Sequence, residues 1–158
     1  MWLFFLLTIS GCSIMMGPKE ATSAKDTSYK VSFQAENWKL KEDKRSDYIW
    51  MNSLDGRILL SNSFCDEFQD QALEVLAVKT FNAVSDLTIL KKEYTIFHQR
   101  EAYAIEGTGK VDGVGVKLRL LNTRRNNCYF DFVSITPLID KNHETIEFES
   151  FLQSVVFK

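Results

Sequence analysis

The chain has 158 residues, 45% hydrophobic and 13% aromatic, with 19 Lys and Arg against 21 Asp and Glu for a formal charge of −2. That is the size of one ordinary domain with enough apolar material for a substantial core. At this near-neutral balance no electrostatic argument favours nucleic acid or an anionic membrane surface as a partner.

In chain order, the first segment is the most unusual. Trp2 to Ile9 carry no formal charge. A membrane-spanning helix needs about 20 apolar residues, and this run is about half that, the length of a signal-peptide core. Ile9, Ser10 and Gly11 then precede Cys12. This resembles a bacterial lipobox, which implies cleavage before Cys12, acylation of its thiol and new amino terminus, and a bilayer as partner. No Lys or Arg precedes the apolar core, so either the true start lies upstream or the free amine suffices. The competing reading is a buried first strand with a core cysteine. Three acyl chains would hold the protein permanently, since one alone binds reversibly. Ser13 after the cysteine, by the same resemblance, points to the outer membrane, facing the periplasm. The expected organisation is a signal over 1–11, an acylated cysteine and flexible tether over 12–28, and one domain over 29–158. A coil of about 16 residues reaches roughly 20–25 Å.

From Tyr29 the chain alternates, with Tyr29, Val31 and Phe33 on one side and Lys30, Ser32 and Gln34 on the other, which is a half-buried strand. Trp38 to Arg45 mixes charges and reads as a connecting loop. Asp47–Asn52 and Arg57–Asn62 flank Ser53-Leu54-Asp55-Gly56, a strong hairpin signal. Over Asp70–Val84, Leu73, Leu76, Ala77, Phe81 and Val84 recur at helical spacing, predicting an amphipathic helix of about four turns. Leu87–Phe97 returns to strand chemistry. Glu101–Thr136 holds three strand-like runs joined by turns at Val111-Asp112-Gly113 and Arg124-Arg125-Asn126-Asn127, an antiparallel meander. Gly107, Gly109, Gly113 and Gly115 read as bulge or turn glycines. Phe148, Phe151, Leu152 and Val155 predict a second amphipathic helix over Glu144–Phe157. The sum is α+β: an antiparallel sheet of six to seven strands packed with two helices.

With Cys12 assigned to lipid, Cys65 and Cys128 remain as an even pair in an exported protein. A disulfide between them would close a loop of about 64 residues and stabilise the fold by roughly 4 kcal/mol. Free thiols, a thiol nucleophile and a metal site are the alternatives. Against the last two, only His98 and His143 are available as base or ligand, and no Cys-x-x-Cys or His-x-x-x-His spacing exists.

The element order, with Trp38 after the first strand, the Asp55-Gly56 hairpin, the single mid-chain helix, the meander and an ending of Phe151-Leu152-Gln153-Ser154-Val155-Val156-Phe157, resembles the PsbP/DcrB-like α/β/α sandwich. It also resembles a group of bacterial lipoproteins in which a cysteine just before the first helix pairs with one in the last strand, here Cys65 and Cys128. Members of that fold act mostly as accessory proteins on larger assemblies, so the resemblance implies a non-enzymatic role and brings no catalytic residue.

The residues agree with that implication. His98 at a turn and His143 before a helix read as solvated loop residues. The carboxylate pairs Asp66/Glu67 and Glu147/Glu149 read as solvated or as partners of a helix dipole. No nucleophile elbow, zinc motif or phosphate-cradling glycine loop is present, and no cofactor or metal is expected. Three candidates for an interaction surface facing an envelope protein partner are Arg124, Arg125 and Trp50, the competing readings being a solvated turn for the arginines and a core aromatic for Trp50. The alternative is a carrier of a small apolar ligand, with Trp38, Tyr48, Trp50, Tyr129, Phe130 and Phe132 lining a cleft between sheet and helices.

Overall fold

The structure, a computed structural model, describes residues 24–66, 70–138 and 144–158. The predicted α+β architecture is present. Among the described residues, nine strands and two helices follow in the order β1 (Tyr29–Val31), β2 (Trp38–Lys41), β3 (Tyr48–Asn52), β4 (Ile58–Cys65), α1 (Leu73–Thr80), β5 (Ser85–Phe97), β6 (Arg100–Val111), β7 (Val114–Arg125), β8 (Cys128–Pro137), α2 (Glu144–Gln153) and β9 (Val155–Phe157). Seven strands form an antiparallel sheet ordered β2-β3-β4-β8-β7-β6-β5, and β1 pairs with β9 in a separate two-stranded sheet.

Local chemistry sets the hairpins. Three of them turn on two residues with positive φ: His98 and Gln99, Asp112 and Gly113, Asn126 and Asn127. This is the geometry whose twist matches the flanking strands. The β3–β4 turn closes with Asn52 N–H on the Arg57 carbonyl at 2.9 Å, and Gly56 takes a φ of 74°. Arg124 and Arg125, predicted within a turn, instead end β7, because the two asparagines alone suffice for the reversal.

Four expectations need correction. Trp38–Lys41 is a strand rather than a loop, with Trp38 opposite Asn52 and Leu40 opposite Trp50. The first helix spans only Leu73–Thr80, two turns, although its stripe Leu73, Leu76, Ala77 and Phe81 is fully buried as predicted. The last helix stops at Gln153, and Val155–Phe157 switches to strand because β-branched residues there meet β1, Val31 opposite Val155 and Tyr29 opposite Phe157. Finally, Gly107 and Gly109 form no turn but lie within β6, opposite the bulged part of β5. A Cβ at Gly109 would clash with Val84 Cγ1, and one at Gly107 would stand 2.8 Å from the Thr88 carbonyl oxygen. They allow the start of β5 to lie close on β6, where β5 carries the register shifts.

The sheet has two covered faces. On one, α2 and the β1–β9 ribbon bury Phe33, Trp50, Phe130, Phe132, Phe148 and Phe151 in an aromatic cluster. On the other, α1 covers an aliphatic cluster of Leu76, Ile105, Leu118, Leu120 and Val133.

Candidate functional site

The disulfide gathers one end of the sheet. Cys65 ends β4 and Cys128 opens β8, the two lie directly opposite in register, and their sulfurs are bonded. At the same end lie the His98–Gln99 and Asn126–Asn127 turns. The N-terminal segment arrives there too. Ala24 bridges to Cys65, whose N–H reaches the Ala24 carbonyl at 2.8 Å, and Asp26 N–H bonds the Ser63 hydroxyl at 2.8 Å. Lys25 pairs with Asp47 at 3.2 Å, and Asp47 also accepts from the Tyr29 hydroxyl and from Ser63. Burial is the main reason the Tyr29 phenol is pushed far above its usual range. The predicted tether of 12–28 is thus docked on the domain from Ala24 onward, because β4 is longer than β3 and leaves its last residues free to pair. Cys12 lies outside the described residues.

Three arginines line a cleft at this tip. Arg100, Arg124 and Arg125 surround about 300 Å³ with Asn126, Asn127, Cys128 and Tyr129. Arg125 lies over the Phe157 ring at 5.1 Å and donates to the Lys158 carbonyl at 3.3 Å, while its Nε is buried without a hydrogen-bond partner. Arg124 and Arg125 are therefore brought together with a third cation, Arg100, that sequence reading did not single out.

Trp50 does not join them. It is 5% exposed and packs edge-on against Phe33 and Phe151, so its predicted place on an interaction surface is corrected to the core. The proposed aromatic cleft is corrected likewise. Phe130 and Phe132 are fully buried, Tyr129 is buried under α1, and Tyr48 stacks on Trp50. Trp38 and Trp50 border an open depression beside Leu40, and Tyr129 borders the tip cleft instead.

The most unusual chemistry sits beneath α1, where sequence reading had looked for none. Asp131 is buried in the middle of β8, and Thr80 of α1 donates to its carboxylate at 2.8 Å. Asn122, opposite Asp131 on β7, donates to the Leu73 carbonyl and to the Tyr129 hydroxyl, both at 2.9 Å. Burial pushes the Asp131 carboxyl up to about 7, against the opposing pull of hydrogen bonds from Tyr129 and Thr80. The signal was readable: Asp131 is the one charged residue in Cys128–Pro137. Through Thr80 the group braces the C-terminal end of α1 against the sheet.

Other charged groups neutralise one another. Arg119 bridges Glu106 at 3.2 Å and Glu149 at 2.8 Å, and Arg57 bridges Asp55 and Glu147. His98 is exposed on its turn, and His143 lies outside the described residues. Among the described residues, no three of His, Cys, Asp and Glu gather as a metal site, and no helix is long and apolar enough to cross a membrane.

No protein-family model and no curated protein matches the sequence. Solved structures do match in shape. A Pseudomonas aeruginosa protein of unknown function, PA94, superposes with a TM-score of 0.55 at 11% identity, covering 77% of this chain and 98% of its own. A Bacteroides thetaiotaomicron protein gives 0.58 at 12% identity over 83% of this chain, which spans only 45% of that longer one. The cyanobacterial PsbP of Synechocystis sp. PCC 6803, CyanoP, gives 0.54 at 10% identity over 90% of this chain and 99% of its own. The domain therefore has the PsbP-like α+β fold.

Proposed function

We propose that this chain is a lipid-anchored, non-enzymatic accessory module of the bacterial cell envelope, tethered through Cys12 and working through the tip that carries Arg124 and Arg125. The observation that carries the reading is the meeting of Ala24 with the Cys65–Cys128 disulfide at that tip. A disulfide suits an exported, oxidising compartment. The twelve residue steps from Cys12 to Ala24 can extend at most about 40 Å, which keeps this end of the domain nearest an anchored cysteine. The PsbP-like fold supports an accessory role by analogy of shape alone.

The test is fractionation and intact mass of wild type beside Cys12→Ser. Wild type should pellet with membranes, lack its first eleven residues and carry the added mass of acyl chains, and the variant should do neither. Unprocessed, unacylated wild type in the soluble fraction would overturn the reading.

One observation favours a second role. Between α1 and β5 an open groove of about 610 Å³ is lined by Val75, Val78, Ile89 and Ile105, which fits a small apolar ligand. Native mass spectrometry of the same membrane extract should then show a ligand-bound mass, and the apo mass alone would remove this role.

A further inference from the structure

The α1–β5 groove is walled by residues that neither local structure nor burial explains. The stripe Leu73, Leu76 and Ala77 faces the sheet, while Glu74, Val75, Val78 and Lys79 share an adjoining side of α1 at helical spacing. Val75 and Val78 are 46% and 51% exposed. Valine is a poor helix former, so at an exposed helical position it has neither propensity nor burial in its favour. The helix packs on β6 and β7, which leaves the same face of β5 uncovered. Ile89 of β5, 38% exposed, borders the groove together with the valines, over a floor of Tyr103 and Ile105. Single exposed apolar residues are ordinary, but three around one open groove of about 610 Å³ make a binding surface.

The rim decides the head group. Its charged residues are Glu74, Lys79 and Lys92, a positive balance. Glu74 accepts from the Tyr94 hydroxyl, and Lys79 donates to the Gln71 side chain. Lys92 lies opposite Ile105 in the β5–β6 register, so the two share the face of the sheet that floors the groove. Among the described residues Lys92 has no ion pair or hydrogen bond. Its stem can follow the apolar floor while the ammonium stays at the rim. The complement of this groove is an apolar chain with one negative charge. We propose that the α1–β5 groove binds a fatty acid, its chain along Val75, Val78 and Ile89 and its carboxylate on Lys92. The proposal rests on the apolar-ligand reading above and adds the head group, which that reading leaves open.

The full chain carrying Cys12→Ser, free of any acyl chain of its own, is titrated by calorimetry with decanoate, decanol and decyltrimethylammonium. Each probe is kept below its micelle-forming concentration. Decanoate should bind saturably and about fivefold tighter than decanol, the upper range for an exposed ion pair, with decyltrimethylammonium weakest. Lys92→Met keeps an apolar stem without the charge, and it should reduce decanoate to the affinity of decanol. Val75→Ser with Val78→Ser should weaken all three probes alike. These positions are exposed, so the variants should keep the parent melting temperature. Binding elsewhere on the chain is common to all the variants and drops out of the comparison. Equal affinities for decanoate and decanol would overturn the carboxylate assignment while the apolar-ligand reading stood, and no binding of any probe would remove both. A decanoate preference that survives Lys92→Met would also overturn the proposal.

Discussion

The two faces of the sheet are held by different physics. Under α2 and the β1–β9 ribbon the cover is aromatic, with Phe33 edge-on to Trp50 and Phe151, Phe130 edge-on to Tyr29, and Phe132 near Phe97. Such rings bring large buried area and preferred edge-to-face geometry. Under α1 the cover is eight residues of helix, and polar contacts fix both its ends, Asn122 on the Leu73 carbonyl and Asp131 on Thr80. The first face has its stability from area, which changes little with solution conditions. The second depends on one buried carboxyl, and so on pH.

The largest effect should come from the aromatic face. Phe132 is fully buried between β8 and α2, and Phe132→Ala removes a whole ring where neighbouring strands cannot collapse into the gap. A loss of about 3–5 kcal/mol is expected, read as a lower urea midpoint at unchanged slope. The cost should be the same at pH 5 and pH 8. A pH-dependent cost would show that the faces are coupled and would break the distinction between them.

Next in size is the pH profile itself. The folded carboxyl of Asp131 is raised to about 7 from its ordinary 3.8, so the folded state holds its proton over a window in which the unfolded chain has lost it. Stability from this group is present at low pH and is lost as pH rises from about 4 to about 7, by at most about 4 kcal/mol. Asp131→Asn keeps the shape without the ionisation, and its stability should be level across that window. Parallel profiles for variant and wild type would remove Asp131 as the source.

The contrast between faces also explains which parts of the molecule could be read from sequence. Period-two alternation over Val116, Leu118 and Leu120 and the stripe Leu73, Leu76, Ala77 and Phe81 are imposed by burial and fell where predicted, whereas Val114, next to the turn, is exposed. Trp38–Lys41 alternates as well, but it is an edge strand with Lys39 and Lys41 outward, and its charges resemble those of a loop. Val155 kept its helical spacing and its burial while changing element, because its partner strand begins 126 positions earlier at Tyr29. A pairing that distant leaves no local mark. Arg124 and Arg125 were legible as a basic pair. Arg100 was not, since only the β6–β7 register brings it to them. Trp50 was misplaced because an aromatic residue on a hairpin reads alike whether its face is wet or covered, and here Phe33 and Phe151 cover it.

The smallest effect is the most specific. The Thr80 hydroxyl has one hydrogen, and the acceptors within its reach include the Asp131 carboxyl at 2.8 Å and the Leu76 carbonyl at 3.2 Å. When Asp131 is ionised the hydrogen belongs on the carboxylate, a charge-assisted bond. When Asp131 is protonated, its own proton can go to the Thr80 oxygen while Thr80 turns to Leu76. Hydrogen bonds to charged groups contribute more than neutral ones, so Thr80→Val should cost about 1 kcal/mol at pH 5 and about 2 kcal/mol at pH 8. The same substitution removes a donor that favours the ionised carboxyl, and the midpoint of the stability profile should move to higher pH. Denaturation series at the two pH values measure both. An equal cost at each would mean that Thr80 serves α1 through Leu76 alone, and the helix would then rest on Asn122 and its apolar stripe without help from Asp131.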